Sequence, residues 1–205
     1  MKVKICGIRT VEEALMTAAE KPDFIGMVFA PSKRQIDYST AREITDALID
    51  SGIKTVGVFV NPTKDEADRA FSETAIDYIQ FHGDEDKALV EQYQNRAIKA
   101  FPSNSELSYE ERFDYKAEYI LIDSPREKYY GGSGTVFNWS ELPLELLDRN
   151  RLGLAGGLNP DNVDKAVQNV APALIDVSSG VEKDGKKDQE LIRKFIKNVR
   201  GGAHD

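Results

Sequence analysis

RLGLAGGLNPDNVDKAVQNVAPALIDVSSG, residues 151–180, contains two apolar runs with a helical pattern between them. The first run ends at the paired glycines Gly156 and Gly157. Apolar residues then recur at helical spacing across 163–170, on one face of an amphipathic helix. The second run, 173–180, ends in Ser-Ser-Gly. A strand, a helix and another strand in this order predict two parallel strands joined by a helical crossover.

The same alternation extends over the rest of the chain. The apolar runs preceding this unit lie at 3–6, 24–29, 55–60, 77–81, 97–101 and 118–123. Eight strand–helix units within 205 residues predict an α/β fold, a (β/α)8 TIM barrel forming a single compact domain over residues 1–205. An open doubly wound sheet is the alternative, but it usually has fewer strands and a Gly-x-Gly-x-x-Gly motif after the first, which this sequence lacks.

Several helix starts are also predicted. Thr10 with Glu13 forms a capping-box pattern, and an asparagine followed by proline is typical of a helix start. The remaining predicted starts are Ser39 or Thr40, Asn61-Pro62, a position near Glu85, Asn138 and Asn159-Pro160.

Composition restricts the class of protein. The net charge of −8 and the pI of about 5.0 argue against nucleic acid as a partner, because that binding depends on neutralising phosphates. No apolar run reaches the ~18 residues that a membrane span requires, and the first residues do not resemble a signal peptide. A single cysteine cannot form an internal disulfide, which favours a cytoplasmic location.

The loops after the seventh and eighth strands indicate a phosphate site. Gly156 and Gly157 allow close approach of the backbone, and a helix start directly after them would direct free N–H groups at an anion. Ser178, Ser179 and Gly180 follow the eighth strand. Because these two loops form the usual phosphate site of a TIM barrel, the sequence predicts a phosphorylated small molecule as substrate. The alternative is a tight turn followed by a helix cap, without a ligand.

Candidate acid and base groups lie at the ends of other strands. Cys6 ends the first strand and Asp123 the sixth. Side chains alternate along a strand, so Lys4 shares a face with Cys6, and Asp176 on the neighbouring eighth strand is placed to pair with Lys4. A nearby ammonium lowers a thiol pKa, so we expect a lowered pKa for Cys6. Alternatively, Cys6 fills the core, Lys4 lies at an exposed edge and Asp123 caps a turn.

Two further side chains at the strand ends are suited to contact a substrate. Arg34 follows the second strand, and its guanidinium matches the geometry of a carboxylate, although the loop around it is also an ordinary polar loop. His82 follows the fourth strand and would donate a hydrogen bond. The glycine-rich loop 131–135 is either a mobile cover or a turn. Two histidines and one cysteine do not make a metal-ligand set, so no metal is expected.

Taken in order, these segments resemble the phosphoribosylanthranilate isomerase family. The similarity extends from Lys4 to about Glu182. The segments that carry it are KICGIR, FAPSKR, VGVFVN, QFHGDE, LIDS, GGSGTVFNW, AGGLNPDNV and DVSSGVE. The chain has Asn138 where the family usually has aspartate, and Phe81 where leucine is commoner.

The resemblance implies a TIM barrel that performs an Amadori rearrangement in tryptophan biosynthesis. It implies that Cys6 is the general base, that Asp123 is the general acid and that Arg34 binds the anthranilate carboxylate. The loops around Gly156, Gly157, Ser179 and Gly180 would bind the phosphate. No cofactor is implied, since the substrate nitrogen accepts the electrons. The enzyme would act as a monomer or a homodimer.

Two other functions remain open from the sequence. A related sugar-phosphate isomerase would share the phosphate loops but need not combine Cys6 with Asp123. A barrel that binds a phosphorylated metabolite without converting it would not need that pair. Activity on the anthranilate substrate distinguishes all three.

Overall fold

A computed structural model describes residues 1–125, 139 and 142–201. Its eight parallel strands pair in sequence order, and β1 pairs with β8 to close the barrel. The predicted (β/α)8 barrel is therefore confirmed. The strands are β1 (Lys2–Cys6), β2 (Phe24–Val28), β3 (Lys54–Phe59), β4 (Tyr78–Phe81), β5 (Ala97–Pro102), β6 (Tyr119–Asp123), β7 (Leu152–Leu154) and β8 (Leu174–Val177).

Helices alternate with these strands along the described chain. The predicted loop 131–135 and the helix expected after Asn138 lie outside the described residues, apart from Trp139. The helices are α1 (Val11–Ala19), α2 (Tyr38–Ala47), α3 (Lys64–Thr74), α4 (Lys87–Glu91), α5 (Tyr109–Phe113), α6 (Val163–Val170) and α7 (Gln189–Gly201), with 3₁₀ turns at Gln94–Arg96, Leu144–Leu146 and Ser179–Val181. A short hairpin of β9 (Glu182–Lys183) and β10 (Lys186–Lys187) precedes α7.

Two predicted helix starts are wrong. Helix α2 is capped by Asp37, whose carboxylate accepts the backbone N–H of Thr40, rather than by Ser39 or Thr40. Helix α3 is capped by Thr63 in a reciprocal capping box rather than by Asn61. Asn61 has a left-handed backbone conformation, with φ of 51°, and therefore belongs to the preceding turn.

Two other helix starts differ in detail. Thr10 caps α1 as predicted, but the Glu13 carboxylate accepts the N–H of Arg9 instead of closing the box on Thr10. Helix α6 begins at Val163, three residues after the predicted Asn159-Pro160 start. The Asn159 side chain accepts the N–H of Asp161 in a local turn, so it is not available to cap the helix.

Alternation along the strands separates two layers of buried side chains. One layer fills the barrel interior and includes Phe24, Val56, Ile98 and Leu174. The other lies between the strands and the helices, which is where Val3 and Ile5 of β1 point. Since Lys4 lies between Val3 and Ile5, its side chain enters the interior layer. None of the helices in the described ranges combines the length and apolar character that a membrane span needs.

Candidate active site

A cavity of about 440 Å³ opens where the strands of the barrel end. This volume is within the range of small-molecule sites. Every residue proposed from the sequence as a site residue lines it: Cys6, Arg34, His82, Asp123, Gly156, Gly157, Asp176, Ser178, Ser179 and Gly180. The structure therefore brings together candidates that come from six different strand–loop junctions.

Lys4 and Asp176 form a buried ion pair directly below the thiol of Cys6. The Lys4 ammonium lies 2.9 Å from Oδ2 of Asp176, and its side chain is completely buried. This confirms the predicted pair and excludes an exposed position for Lys4. Gly26 of β2 leaves the space that both groups occupy, because a Cβ there would lie 2.9 Å from the sulfur of Cys6 and 3.1 Å from Nζ of Lys4.

The thiol pKa differs from the sequence expectation. Burial raises the pKa of Cys6, and this effect exceeds the lowering by the Lys4 ammonium. The expected net lowering of the Cys6 pKa is therefore wrong, although the Lys4 contribution has the predicted sign. The difference arises mainly because the thiol is buried, and the negative charge of Asp176 raises the thiol pKa further.

Replacing Lys4 with methionine is expected to raise the thiol pKa of Cys6 further. The substitution removes the cation that favours the thiolate most strongly, so the pH profile of iodoacetamide modification should move to higher pH. Lys2→Met on the same strand is the matched control, because Lys2 is exposed and pairs with Asp23. An unfolded variant would give a free-thiol profile, shifted to lower pH. An unchanged profile in Lys4→Met would contradict the role of Lys4.

Asp123 is the last residue of β6 and is held by hydrogen bonds from two neighbours. Nε2 of His82 lies 3.2 Å from Oδ2, and the backbone N–H of Ser124 donates to Oδ1. The amide nitrogen of Gln80 lies 2.9 Å from Nδ1 of His82 and can donate to it when Nε2 of His82 carries the ring proton. Burial alone would raise the pKa of Asp123, but the His82 and Ser124 bonds hold it below its usual value.

Arg34 already forms a bidentate pair within the protein. Its Nε and Nη2 donate to the two oxygens of Glu182 at 2.7 and 2.8 Å. The side chain passes Gly7, where a Cβ would lie 2.5 Å from Cδ of Arg34 and where φ is +84°. Glycine is therefore needed at this position for two reasons: the backbone is left-handed, and the side chain of Arg34 occupies the space of a Cβ.

The two loops predicted to bind phosphate contact each other. A Cβ on Gly180 would lie 1.8 Å from the carbonyl oxygen of Leu158, and one on Gly156 would lie 2.3 Å from Oγ of Ser124. Both glycines thus permit close packing at the rim of the cavity. Because α6 begins only at Val163, the glycine pair does not lead directly into a helix N-terminus. The prediction of a helix start directly after Gly156 and Gly157 is therefore wrong.

Sequence reasoning missed Glu182 and Lys187 as residues that support the site. The ammonium of Lys187 lies 2.8 Å from Oε1 of Glu182 and donates to the carbonyl of Ser178 at 3.0 Å. A usable signal was Asp184-Gly185 between polar residues, because Asp-Gly is typical of a tight hairpin turn. Both residues have positive φ in the structure, and the hairpin directs Glu182 and Lys187 inward.

Within residues 1–125, 139 and 142–201, no group of three or more His, Cys, Asp or Glu side chains is arranged to hold a metal ion. The site therefore has to be interpreted through the side chains described above.

Comparison with known sequences gives a consistent family. A family model described as N-(5'-phosphoribosyl)anthranilate (PRA) isomerase matches residues 3–198. A protein of that name from Listeria welshimeri is 42% identical over 201 residues, which cover 98% of this chain and 99% of the relative. The Bacillus cereus relative of the same name is also 42% identical, covering 96% of both chains.

Solved structures give the same result. Phosphoribosyl anthranilate isomerase from Thermotoga maritima superposes with a TM-score of 0.86 at 40% identity, covering 98% of this chain and 99% of that one. A second structure contains reduced 1-(o-carboxyphenylamino)-1-deoxyribulose 5-phosphate. It has a TM-score of 0.82 and 38% identity over the same shares of the two chains.

Proposed function

The chain belongs to the N-(5'-phosphoribosyl)anthranilate isomerase family, and from that membership we propose how its residues divide the reaction. It is an isomerase of tryptophan biosynthesis that converts N-(5'-phosphoribosyl)anthranilate into 1-(2-carboxyphenylamino)-1-deoxyribulose 5-phosphate. The observation that carries the assignment of roles is the shared cavity. A thiol, a carboxyl, a guanidinium and two glycine loops line one space of about 440 Å³.

Asp123 is the proposed general acid for opening the sugar ring. Its proton goes to the ring oxygen while the bond between that oxygen and C1′ breaks. The nitrogen lone pair forms the C1′=N bond of an iminium ion, so no metal is required for this step. Position supports the role, because Asp123 lines the cavity and its carboxylate is fixed by His82 and Ser124.

Cys6 is the proposed general base for the second proton transfer. The iminium acidifies the C2′–H bond, and the thiolate takes that proton to leave an enolamine. A proton then adds to C1′ and the 2′-hydroxyl loses one, which gives the ketone with no net gain or loss of atoms. The position of Cys6 at the end of β1, on the cavity side of the buried Lys4–Asp176 pair, supports this role.

The two ends of the substrate are proposed to bind on opposite sides of the acid and base. Arg34 receives the anthranilate carboxylate, and the loops containing Gly156, Gly157, Ser178, Ser179 and Gly180 receive the phosphate. Asp176 is also proposed to bind substrate. Its Oδ1 is buried at the cavity and has no hydrogen-bond partner among the described residues, so it can accept a sugar hydroxyl.

The test of this function is the decay of anthranilate fluorescence when the purified chain meets phosphoribosylanthranilate made in situ. We expect rapid decay that depends on enzyme concentration. A folded chain without activity on this substrate would contradict the proposal and favour a metabolite-binding barrel or another sugar-phosphate substrate. The product should have the same mass as the substrate, because the reaction is an isomerisation. Chromatography separates the two and identifies the ketone.

Ser179→Asp is expected to raise KM about 10- to 100-fold, because a carboxylate next to a bound phosphate repels it and charged contacts contribute about 1.5–3 kcal/mol. The value of kcat should change far less, since the acid and base are untouched. Ser179 is exposed, so the change should not disturb folding. Ser72→Asp, on the exposed face of α3, is the matched control. An unchanged KM in Ser179→Asp would remove this loop from the phosphate site.

The remaining proposals concern the state of the enzyme. We propose a cytoplasmic enzyme that works as one domain over residues 1–205, as a monomer or a homodimer, without nucleic-acid or membrane partners. The single cysteine and the net charge of −8 support these statements. One similar structure is described as monomers generated from a dimeric isomerase of Thermotoga maritima. Size-exclusion chromatography with light scattering distinguishes the two oligomeric states.

A further inference from the structure

The carboxylate-binding arginine is held by a buried network behind the cavity. Arg34 lines the cavity, whereas Glu182 and Lys187 lie behind it. The side chains are 12% exposed for Arg34, 7% for Glu182 and 1% for Lys187. A bidentate pair shielded from water to this extent fixes the plane of the guanidinium much more firmly than an exposed pair does.

The geometry determines which edge of Arg34 remains for a ligand. Glu182 occupies the side-on edge formed by Nε and Nη2. A guanidinium has a second edge, formed by Nη1 and Nη2, that also accepts a carboxylate in bidentate fashion. Among the described residues, no hydrogen bond engages Nη1 of Arg34. Glu182 therefore leaves the end-on edge of Arg34 available for the substrate and sets the direction in which that edge points.

Lys187 connects this arrangement to the opposite end of the substrate site. Its ammonium binds both Oε1 of Glu182 and the carbonyl of Ser178, in the loop proposed to bind phosphate. The hydroxyl of Ser178 in turn donates to the carbonyl of Cys6. Although burial favours the neutral acid, hydrogen bonds from Arg34 and Lys187 hold the pKa of Glu182 at about 2. Glu182 is therefore ionised at neutral pH, whereas burial lowers the pKa of Lys187.

We propose that Glu182, anchored by Lys187, is a positioning residue that determines specificity by presenting the end-on edge of Arg34 to the carboxylate of the substrate's aromatic ring. The inference rests on the proposed function, since it assumes that Arg34 binds that carboxylate. Glu182 does not touch the substrate. Its effect is on the selection of a carboxylated aryl amine over one without the carboxylate.

The test compares two substrates prepared from ribose 5-phosphate, one with anthranilate and one with aniline. Glu182→Gln removes the charge but keeps the size, so Arg34 loses its fixed plane. We expect KM for the anthranilate substrate to rise about 10-fold or more, with kcat within about threefold. The preference for the anthranilate over the aniline substrate, taken from kcat/KM, should fall by about the same factor.

Matched variants separate positioning from general support of the fold. Arg69 and Glu73 form the same bidentate pair on the exposed surface of α3, so Glu73→Gln should change neither KM nor preference. Glu182→Asp retains the charge and should recover part of the lost preference. It is also the variant to measure if Glu182→Gln fails to fold.

The outcomes distinguish this inference from the proposed function. Equal loss on both substrates in the Glu182 variants, or an unchanged preference, would overturn the positioning role while leaving the enzyme's function intact. Absence of turnover by the parent chain would instead overturn the proposed function. Inhibition by inorganic phosphate should be similar in the parent and in Glu182→Gln, which shows that the phosphate loops are in place.

Discussion

Replacing Cys6 with alanine is expected to lower kcat about 10²–10⁴-fold, because a positioned base contributes that much to a proton transfer. Cys6 is the group proposed as the base, and the ammonium of Lys4 beside it is paired with Asp176. The change removes only a sulfur atom from a buried position, so the barrel should remain folded. The decay of anthranilate fluorescence, run beside the parent chain, measures the loss.

Cys6→Ser provides the chemical control for this prediction. A hydroxyl is similar in size but is a far weaker base at neutral pH, so serine should be nearly as inactive as alanine. Inhibition by inorganic phosphate should be unchanged in both variants, because the phosphate loops do not depend on the thiol. If Cys6→Ala retained the parent rate, Cys6 would be a packing residue and the base would have to be sought elsewhere.

Asp123→Asn is expected to lower kcat by a similar factor, about 10²–10⁴-fold. An amide still accepts the hydrogen bond from His82 but cannot give a proton to the ring oxygen. The KM should change little, since Arg34 and the glycine loops are the groups proposed to bind the two ends of the substrate. Asp114→Asn, at a surface position whose side chain is 71% exposed, is the control and should be fully active. Full activity in Asp123→Asn would exclude it as the acid.

The pH dependence follows from the direction of the two pKa shifts. Cys6 has a raised pKa and Asp123 a lowered one, so the free enzyme carries a thiol and a carboxylate at neutral pH. The proposed roles need a thiolate and a carboxylic acid. This form of the enzyme holds one proton on the two groups, as the form with a thiol and a carboxylate does. The ratio of these two forms does not change with pH, so kcat/KM should be flat between the two pKa values and fall outside them.

Each variant should retain one inflection of this profile, with its direction reversed. In Asp123→Asn the residual kcat/KM should rise with pH through the thiol pKa, since only the thiolate fraction then matters. In Cys6→Ala it should fall as pH rises through the pKa of Asp123, because the acid form is lost. Flat residual profiles in both variants would contradict the assignment of the two groups.

The fold was predictable because alternation is a repeated, local signal. Strands appear as apolar runs and helices as segments with one apolar face, so the barrel could be inferred from the spacing of apolar residues along the chain. The exact helix starts were not predictable, because several polar residues near each start compete for the same backbone N–H groups. Asn61 and Asn159 have side chains suited to a cap, but Thr63 caps α3, and the side chain of Asn159 accepts a hydrogen bond in a local turn instead. Helix α6 begins after Asn162 without a side-chain cap hydrogen bond.

The site was predictable where a residue follows a strand. Cys6, His82 and Asp123 all lie at positions that a barrel brings to one rim. Glu182 and Lys187 belong to a hairpin outside this repeat, so the barrel rule gave no reason to select them. The net effect on the thiol pKa also escaped prediction, because its largest cause is the burial of the thiol itself, which the adjacent residues do not indicate.

The pairing of β1 with β8 places Lys4 beside Asp176, which is 172 residues later in the chain. Contacts between segments so distant in sequence form late when a protein refolds, because closing a long loop is entropically costly. The charge environment of the thiol is therefore completed only when the last strand docks. During refolding from denaturant, we expect helical signal to return before native thiol reactivity, so that the reactivity of Cys6 reports closure of the barrel.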